Sequence, residues 1–230
     1  MKRNKCFIVG AGEFARERFE PQETDYLIAA DGGYAYLMQL GMNPHLVVGD
    51  FDSLGYEPEH DHVVRHPVMK DDTDLALACK MAVEKGFTEL HIFGATGGRL
   101  DHTMAAMQLL ANLAGEGVSA FLYGAGYVLT AIAAGDVSCN ILKAELEFES
   151  GYQGGISVFS NTTVSQGVCE EGLLYTLQDA ELVSNVALGV SNSFTGEPAV
   201  IRVTNGALLV IWYGNESKAL PVHQIETEKE

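Results

Sequence analysis

The stretch LVVGDFDS, residues 46–53, indicates how the first half of the chain folds. A short apolar run that ends in glycine and two carboxylates is typical of a buried strand that delivers acids to its own C-terminal edge. Carboxylates this close repel each other, so at neutral pH they need a cation, or one of them has to stay protonated. Asp50 and Asp52 are two residues apart in a strand-like segment, so they can point the same way and bracket one ion.

Strands and helices alternate on both sides of this stretch. The predicted strands are Cys6–Val9, Tyr26–Ala30, Leu46–Val48, His62–Arg65, Leu90–Phe93 and Ala120–Tyr123. The predicted helices are Tyr34–Leu40, Leu75–Glu84 and His102–Leu113. This alternation predicts a mostly parallel sheet that is covered on both faces. We therefore expect an α/β N-terminal domain over residues 1–134.

The pattern changes near Ala134-Gly135-Asp136, after which no helical period is sustained. The strands predicted from there on are Ala144–Phe148, Ile156–Phe159, Leu173–Leu177, Ala199–Thr204 and Ala207–Tyr213. Asn205-Gly206 predicts a hairpin between the last two. We expect residues 135–230 to form a β-rich C-terminal domain, either a small antiparallel sandwich or a partly closed barrel.

Composition and charge restrict the possible partners. The chain has 230 residues, 47% of them hydrophobic, and a formal net charge of -17. This charge argues against nucleic acid or an anionic membrane as a partner, because both would be repelled. A nucleoside triphosphate would be repelled too, unless a divalent metal neutralises it locally. The four cysteines are far apart, without metal-ligand spacing, and no apolar run is long enough to span a bilayer, so we expect a cytoplasmic protein with reduced thiols.

One glycine motif points to a different function. Residues 10–15, GAGEFA, match the dinucleotide fingerprint after a strand, and Asp31 stands about where a ribose-binding carboxylate is expected. Alone, this would favour an NAD-binding Rossmann protein. However, Pro21 leaves room for only a short helix after the glycines, and the fingerprint does not explain the later acids. Nicotinamide binding therefore stays an alternative with less support.

Four polar motifs follow predicted strand ends or begin helices: Asp31-Gly32-Gly33, Gly49-Asp50-Phe51-Asp52-Ser53, Lys70-Asp71-Asp72-Thr73-Asp74 and Gly97-Gly98-Arg99-Leu100-Asp101-His102. Asp71 and Asp74 are three residues apart at a helix start, so they can face a shared centre, and the helix N-terminus favours bound anions. Glycines before Arg99 let backbone N–H groups approach phosphate, and the guanidinium offers a bidentate fork. Together these features indicate a site for Mg²⁺ and phosphate.

These motifs, in this order, resemble the thiamine pyrophosphokinase family over essentially the whole chain. The segment Gly189-Val190-Ser191-Asn192-Ser193-Phe194 resembles the Ser-Asn segment of that family's thiamine site. The resemblance implies transfer of a pyrophosphoryl group from ATP to the thiamine hydroxyl, giving thiamine diphosphate and AMP. It also implies a homodimer with the active site at the subunit interface.

The resemblance further implies roles for single residues. Asp50, Asp52 and Asp74 would hold Mg²⁺, and the catalytic residues would be Asp71, Asp74, Arg99 and Asp101. Substrate and cofactor would be bound by Asp31, Gly32, Gly33, Ser53, Lys70, Thr73, Gly97, Gly98, Ser191 and Asn192. The sequence does not choose between Asp71 and Asp101 as the group that orients or deprotonates the hydroxyl. Ser193 departs from the family pattern, in which an acid often follows Ser-Asn.

Several structural interpretations stay open beside these roles. Asp31 could be a turn former, Asp101 could be a helix N-cap, and Asp72 is more typical of a solvated helix start. Trp212 fits a half-buried strand aromatic better than a ligand stack. Other functions also stay open: a pterin-alcohol diphosphokinase, a Mg²⁺-dependent phosphatase and a non-catalytic binding module.

Overall fold

The computed structural model describes residues 5–52, 54–65, 72–138, 140–214 and 218–228. In these residues the chain is mostly β, with few helices and two sheets. It divides into two compact units: the first ends at Leu109 and includes Ala120–Ala125, and the second comprises Leu110–Ser119 and the chain from Gly126 onward. The domain division at residue 134 stays a prediction. None of the helices described is both long enough and apolar enough to cross a bilayer.

Short apolar runs form the strands of the first unit, and these runs are buried in all strands except the one at Val63–Arg65. The strands are β1 Cys6–Val9, β2 Tyr26–Ala30, β3 Leu46–Gly49, β4 Val63–Arg65, β5 Glu89–Phe93 and β6 Ser119–Gly124. The helices are α1 Gly33–Gln39, α2 Asp74–Glu84 and α3 Leu100–Gly115. Ser119 and the part of α3 from Leu110 onward belong to the second unit.

The sheet of the first unit brings several strand ends to one edge. Its order is β6-β5-β1-β2-β3-β4. β1 pairs in parallel with both β2 and β5, and β2–β3 and β3–β4 are parallel as well. Parallel strands have their carboxyl ends on the same side, so the loops that follow β1, β2, β3 and β5 meet there. This edge carries the candidate site.

The core of the first unit explains how a helix and a loop cover the two faces of the sheet. On α2, the small residues Ala78, Cys79 and Ala82 are fully buried, which lets the helix approach the strands closely. The other face carries an aromatic cluster, in which the ring of Phe93 stacks on Tyr123 with centroids 4.3 Å apart and meets Phe19 edge to face. Small residues on α2 and aromatic rings thus make different kinds of contact with the sheet.

The second unit is antiparallel in every strand pairing described. Its strands are β7 Tyr127–Ala134, β8 Ile141–Phe148, β9 Gly155–Ser160, β10 Val164–Glu171, β11 Leu177–Val183, β12 Asn192–Ser193, β13 Ala199–Val203, β14 Gly206–Tyr213 and β15 Val222–Thr227. Strands β12, β9, β14 and β7 follow one another in one sheet, and the other sheet has the order β11-β10-β13-β8-β15. This arrangement agrees with the predicted β-rich second half.

Two details of the second unit correct the predictions. The segment 173–176 is not a strand, because β11 begins only at Leu177. Asn205-Gly206 is not a hairpin turn: β13 and β14 lie in different sheets, and the dipeptide carries the chain from one to the other. Gly206 has φ of 103° and its backbone passes so close to Ser165 that a Cβ would lie 2.8 Å from the hydroxyl. The glycine therefore serves a crossing rather than a two-residue turn.

Trp212 is more deeply buried than a half-buried strand aromatic, since only 1% of it is exposed. Its ring meets Phe148 edge to face, with centroids 5.5 Å apart. Tyr152 and Phe194 extend this contact into an aromatic cluster inside the second unit. Trp212 is therefore a core residue.

Candidate active site

Three carboxylates converge at the carboxyl edge of the parallel sheet. Asp31 follows β2, Asp50 follows β3, and Asp74 begins α2. Each is half-buried and offers one oxygen, and the three oxygens lie within 4.8 Å of one another. Parallel strand pairing brings Asp31 and Asp50 to the same edge, which is why residues 19 positions apart in sequence meet here.

The group of three suits a magnesium ion. Mg²⁺ prefers oxygen ligands at about 2.1 Å in octahedral geometry, so oxygens on one ion lie about 3 to 4 Å apart. Three carboxylate oxygens within 4.8 Å reach that spacing with small side-chain adjustments. Three like charges this close also repel one another, and a divalent cation removes the repulsion. The residues present therefore fit the metal.

The backbone around these acids adopts uncommon conformations. Asp31 and Phe51 have φ of 50° and 65°, the left-handed region that non-glycine residues seldom adopt. Gly49 allows β2 and β3 to end close together, because a Cβ there would lie 3.1 Å from the Cα of Asp31. The Phe51 side chain is 4% exposed, so its burial helps to hold the turn. Backbone of this kind is typical of functional sites.

Asp52 takes a different position from the other predicted metal ligands. It is exposed, and its backbone N–H donates to Oδ1 of Asp50 at 3.2 Å. Its side chain is not part of the group of three, whereas Asp31, which we predicted only as a binding residue, is. Ser53, Lys70 and Asp71 lie outside the described residues. The metal role of Asp52 stays a prediction.

A cavity of about 410 Å³ is lined by two of the three acids, Asp31 and Asp74, whereas Asp50 is not part of its lining. Six of the predicted site residues line it: Asp31, Thr73, Asp74, Gly97, Gly98 and Arg99. Its other walls were not predicted as part of the site: Gly10, Ala11, Gly12, Ala30, Leu75, Gly94, Ala95 and His102. The cavity therefore combines the loops that follow β1, β2 and β5 with the beginnings of α2 and α3.

Two interlocked glycine turns form one wall of the cavity. The N–H of Gly10 donates to the carbonyl of Phe93 at 2.8 Å, and the N–H of Gly12 donates to that of Gly94 at 2.7 Å. A Cβ on Gly10 would lie 2.6 Å from the carbonyl oxygen of Gly94, so the contact requires glycine. These are the glycines of the dinucleotide-like motif. The signal that could have placed them in the site was therefore visible in the sequence.

The start of α2 faces the cavity. Thr73 is the N-cap of this helix, and its Oγ1 accepts a hydrogen bond from the N–H of Ala76 at 3.2 Å. Both Thr73 and Asp74 line the cavity. The partial positive charge of an eleven-residue helix thus lies at the same edge as the acids, where it favours a bound anion.

Arg99 and Asp101 form an exposed ion pair at the cavity rim. The guanidinium Nη2 lies 2.5 Å from Oδ2 of Asp101, and Nε lies 3.2 Å from Oδ1. The hydrogen bond from Arg99 lowers the pKa of Asp101 to about 2, and the same bond raises the pKa of Arg99. A carboxylate with so low a pKa is a weak proton acceptor while the pair is formed. Asp101 lies within α3 rather than before it.

Two predicted binding glycines do not line the cavity. Gly32 is the N-cap of α1, and Gly33 is its first residue. A Cβ on Gly33 would overlap the carbonyl oxygen of Val9. Gly33 therefore allows α1 to begin directly against the end of β1, and this packing helps to fix the backbone at Asp31.

The Ser191-Asn192 segment lies in the second unit. Ser191 is exposed, has φ of 64°, and its N–H donates to Oγ of Ser157 at 3.1 Å. Asn192 is 5% exposed and uses its whole side-chain amide inside the protein. Nδ2 donates to Oε2 of Glu170 and to the carbonyl of Tyr175, and Oδ1 accepts from the N–H groups of Tyr175 and Ser193. An amide has two donors and two acceptor sites, so all four are occupied.

The chain is similar to known thiamine pyrophosphokinases. The family model "Thiamin pyrophosphokinase, catalytic domain" matches residues 20–122. The thiamine pyrophosphokinase of Bacillus subtilis is 38% identical over 89 residues, which are 36% of this chain and 42% of that protein, so less than half of that relative is matched. Thiamin pyrophosphokinase 1 of Caenorhabditis elegans is 22% identical over 81% of this chain and 78% of its own length.

A solved structure shows the same fold. The crystal structure of the thiamine pyrophosphokinase from Bacillus subtilis superposes with a TM-score of 0.78 at 24% identity. The match covers 92% of this chain and 100% of that chain. The likeness therefore extends over both sequence halves, including the β-rich part that the family model does not reach.

Proposed function

We propose that the chain is a member of the thiamine pyrophosphokinase family and that it transfers the pyrophosphoryl group of ATP to the hydroxyl of thiamine, giving thiamine diphosphate and AMP. The observation that carries the proposal is the group of three carboxylates, Asp31, Asp50 and Asp74, at a cavity that also has a helix N-terminus and an exposed arginine at its rim. This is the set of parts that phosphoryl transfer requires, because its catalysis depends mainly on positioning and charge neutralisation.

We propose that the cavity holds the triphosphate of ATP. The glycine turns at Gly10–Gly12 and Gly97–Gly98 present backbone without side chains, so phosphate oxygens can approach closely. The N-terminus of α2 adds partial positive charge, and Arg99 adds a full one. Arg99 is held by Asp101 at the rim, so binding of phosphate would exchange one anionic partner for another.

We propose Mg²⁺ as the cofactor, held by Asp31, Asp50 and Asp74, with Asp52 as a nearby candidate ligand. When bound, the ion supplies charge neutralisation for the phosphate oxygens. The protein side of this proposal is the clustering of the three carboxylate oxygens within 4.8 Å. Asp74 also begins α2, so one residue links the acid group to the helix terminus.

In the proposed reaction the hydroxyl oxygen of thiamine forms a bond to the β-phosphorus of ATP. The bond between that phosphorus and the bridging oxygen of AMP breaks, and the hydroxyl proton is lost. Arg99 would stabilise the negative charge that develops on the leaving oxygen. Asp71 or Asp101 would orient or deprotonate the hydroxyl. The pKa of Asp101 is low while Arg99 holds it, so Asp101 becomes a better proton acceptor once Arg99 has turned to phosphate.

We propose that the acceptor site includes the exposed Ser191 and the neighbouring turn of the second unit. In this proposal the domain over residues 1–134 binds ATP and Mg²⁺ and is catalytic. The β-rich domain over residues 135–230 binds thiamine and forms the dimer. The family resemblance and the spread of predicted site residues over both halves support this proposal.

The test is AMP release from ATP and Mg²⁺ by the purified chain, with and without thiamine. We expect AMP only with thiamine, in equal amount to thiamine diphosphate. A chain that releases AMP with a hydroxymethylpterin but not with thiamine would instead be a pterin-alcohol diphosphokinase. Inorganic phosphate as the product would indicate a phosphatase.

We also propose a homodimer with the active site at the subunit interface. Light scattering should give twice the chain mass of 24.8 kDa. At low thiamine concentration, Asp74→Asn chains should turn over slowly and Ser191→Ala chains should bind thiamine weakly, so mixing the two should restore part of the activity if each site takes residues from two copies. Activity that stays at the level of the separate variants in verified mixed dimers would place each site within one chain.

We propose a cytoplasmic, reducing location. Cys6 and Cys79 are buried free thiols, and burial raises the pKa of Cys6 to about 12. Such thiols are typical of reduced cytosolic proteins. Cell fractionation of the producing organism would test the location directly.

A further inference from the structure

Glu170 is a buried carboxylate that none of the functions described so far uses. It lies on β10 and pairs with Ile201 of β13, whose side chain is fully buried, so both face the interior of the second unit. Only 1% of Glu170 is exposed. Burial raises the pKa of Glu170, and the hydrogen bond from Asn192 opposes that effect.

The Glu170 carboxylate reaches from its own sheet to Asn192 on β12, a strand of the other sheet. Oε2 accepts a hydrogen bond from Nδ2 of Asn192 at 2.9 Å, whereas Oε1 has no hydrogen-bond partner among the described residues. Gly189 leaves the space for this carboxylate, since a Cβ there would lie 3.1 Å from Oε1 and 2.5 Å from the carbonyl of Val158. The first glycine of the Ser-Asn segment thus has a packing reason that involves Glu170.

The Asn192 amide, held by Glu170, in turn binds the backbone of one surface turn. It binds both the N–H and the carbonyl of Tyr175, at 3.0 and 2.6 Å. The same turn is tied at Gly172, whose carbonyl accepts from Oγ1 of Thr195 at 2.9 Å. At its tip, however, the side chains of Leu174 and Tyr175 are 60% and 66% exposed. The turn is therefore rigidly held by its backbone while its two large side chains face solvent.

The burial of Glu170 destabilises the core of the second unit rather than stabilising it. A carboxylate buried with one unpaired oxygen loses hydration without full compensation, and apolar residues of similar volume usually do as well or better at such positions. What the buried carboxylate does is hold Asn192 in place, and through Asn192 the turn at Gly172–Tyr175. Groups that are held in this way at a cost in stability are typical of sites that need a preformed shape.

We propose that Glu170 is a positioning residue for the acceptor alcohol. It orients the Asn192 amide, and through that amide it fixes the turn at Gly172–Tyr175 beside Ser191. Asn192 then acts through the backbone that it holds, because its own amide has no donor or acceptor left for a ligand. This inference rests on the proposed function, in which Ser191 and its surroundings bind thiamine.

The test compares Glu170→Leu with Glu170→Gln in the full chain. Leucine removes the acceptor for Asn192, so we expect the thiamine KM to rise roughly 5- to 50-fold while the ATP KM changes less than about 2-fold. Glutamine keeps a side-chain oxygen that can accept from Nδ2, so we expect near wild-type KM for both substrates. An unchanged thiamine KM in a folded Glu170→Leu protein would overturn the proposal, as would an equal rise in both KM values.

A second measurement does not depend on activity. Chymotrypsin cleaves after exposed Tyr and Leu, so cleavage at Leu174 and Tyr175 reports how firmly the turn is held. We expect faster cleavage there in Glu170→Leu than in the wild type and in Glu170→Gln. Equal cleavage in all three would contradict the positioning role, even if the chain proves inactive on thiamine. Absence of thiamine-dependent AMP from the wild type would instead contradict the proposed function.

Glu145→Leu is the matched control. Glu145 lies on β8 of the same sheet, pairs with Arg202 at 2.5 Å, and has no described contact with Asn192. We expect its exchange to leave both KM values and the cleavage at Tyr175 unchanged. If Glu170→Leu does not fold, Glu170→Thr, which is too short to reach Asn192, replaces it with the same expected outcomes.

Discussion

The two proposed functional regions of this chain use polar groups in opposite ways. At the edge of the parallel sheet, Asp31, Asp50 and Asp74 gather like charges that the protein leaves half-exposed, and Arg99 stands at the rim with most of its side chain in solvent. In the second unit, Glu170 and Asn192 are almost fully buried, and the Asn192 amide has no hydrogen-bonding capacity left.

The difference follows from what each region has to do. In the proposed function, charges that exchange a metal ion and phosphate groups have to stay accessible, even when this brings like charges close together. Groups that must keep a surface turn in one shape do so best when water and ligands cannot compete for them. Substitutions in the first region should therefore change activity with little effect on folding, and those in the second should affect both.

The largest effect is expected from Asp50→Asn and Asp74→Asn. Each removes a charge from the group of three, so kcat should fall roughly 100-fold or more, while the melting temperature stays equal or rises because repulsion decreases. Thiamine-dependent AMP release and thermal unfolding measure the two quantities. Asp72→Asn is the control, because this exposed residue lies two positions before Asp74 and outside the group. Near-normal activity in both variants would remove the acids from the site.

Arg99→Lys should have the next largest effect. Lysine keeps the positive charge but loses the planar fork, so we expect kcat/KM for ATP to fall roughly 10- to 100-fold. Both side chains of the Arg99–Asp101 pair are more than 60% exposed, so stability should hardly change. Steady-state kinetics at varied ATP gives the result. Full activity with lysine would mean that Arg99 does not grip phosphate bidentately.

In the second region we expect stability and thiamine binding to separate when Asn192→Ala is compared with Ser191→Ala. Alanine at position 192 removes four hydrogen bonds and leaves buried partners unpaired, so we expect a loss of roughly 2–4 kcal/mol in unfolding free energy. Alanine at the exposed position 191 should cost little stability and mainly raise the thiamine KM. Urea unfolding and kinetics separate the two. Equal stability of the two variants would contradict the conclusion that the buried hydrogen bonds of Asn192 stabilise the fold.

The smallest effect is a pH-dependent difference between Glu170→Gln and the wild type. Because burial raises the folded-state pKa of Glu170 above its ordinary value of 4.5, the folded protein keeps a proton that the unfolded chain has already released as pH rises. The wild type thus loses stability as pH rises from 4.5 through that raised pKa, and glutamine does not. The variant should melt higher at pH 7, and the gap should close below pH 4.5. A difference in melting temperature that is independent of pH would contradict a raised pKa of the buried Glu170 carboxylate.

Much of the first unit could be predicted because its signals are local. Short apolar runs that end in Gly or Asp are strands in the structure. The second unit was harder, since its pairings join distant segments. Asn205-Gly206 has the composition of a hairpin turn, but whether its flanking strands pair depends on the sheets that receive them, which a local pattern does not encode.

The site shows the same limit. Parallel strand ends predict that acids after β2 and β3 meet. Which of Asp31 and Asp52 joins the group depends on the turn at Phe51. The left-handed backbone of that turn cannot be predicted from a phenylalanine. Glu170 was missed because Cys169-Glu170-Glu171 resembles an ordinary alternating strand with exposed acids. Only the opposing sheet shows that the middle residue is enclosed.

The contact between Gly10 and Gly94 has a consequence for how this site can change over generations. Each glycine sits where a Cβ would press on the carbonyl of the other, so the restriction is mutual. Most tight contacts can be relieved by shrinking the neighbour, but here both neighbours already carry the smallest side chain. No exchange at one position can make the other permissive, and repair would require moving a strand. A library that randomises both positions together should therefore return the starting pair, while the walls beside it remain free to drift.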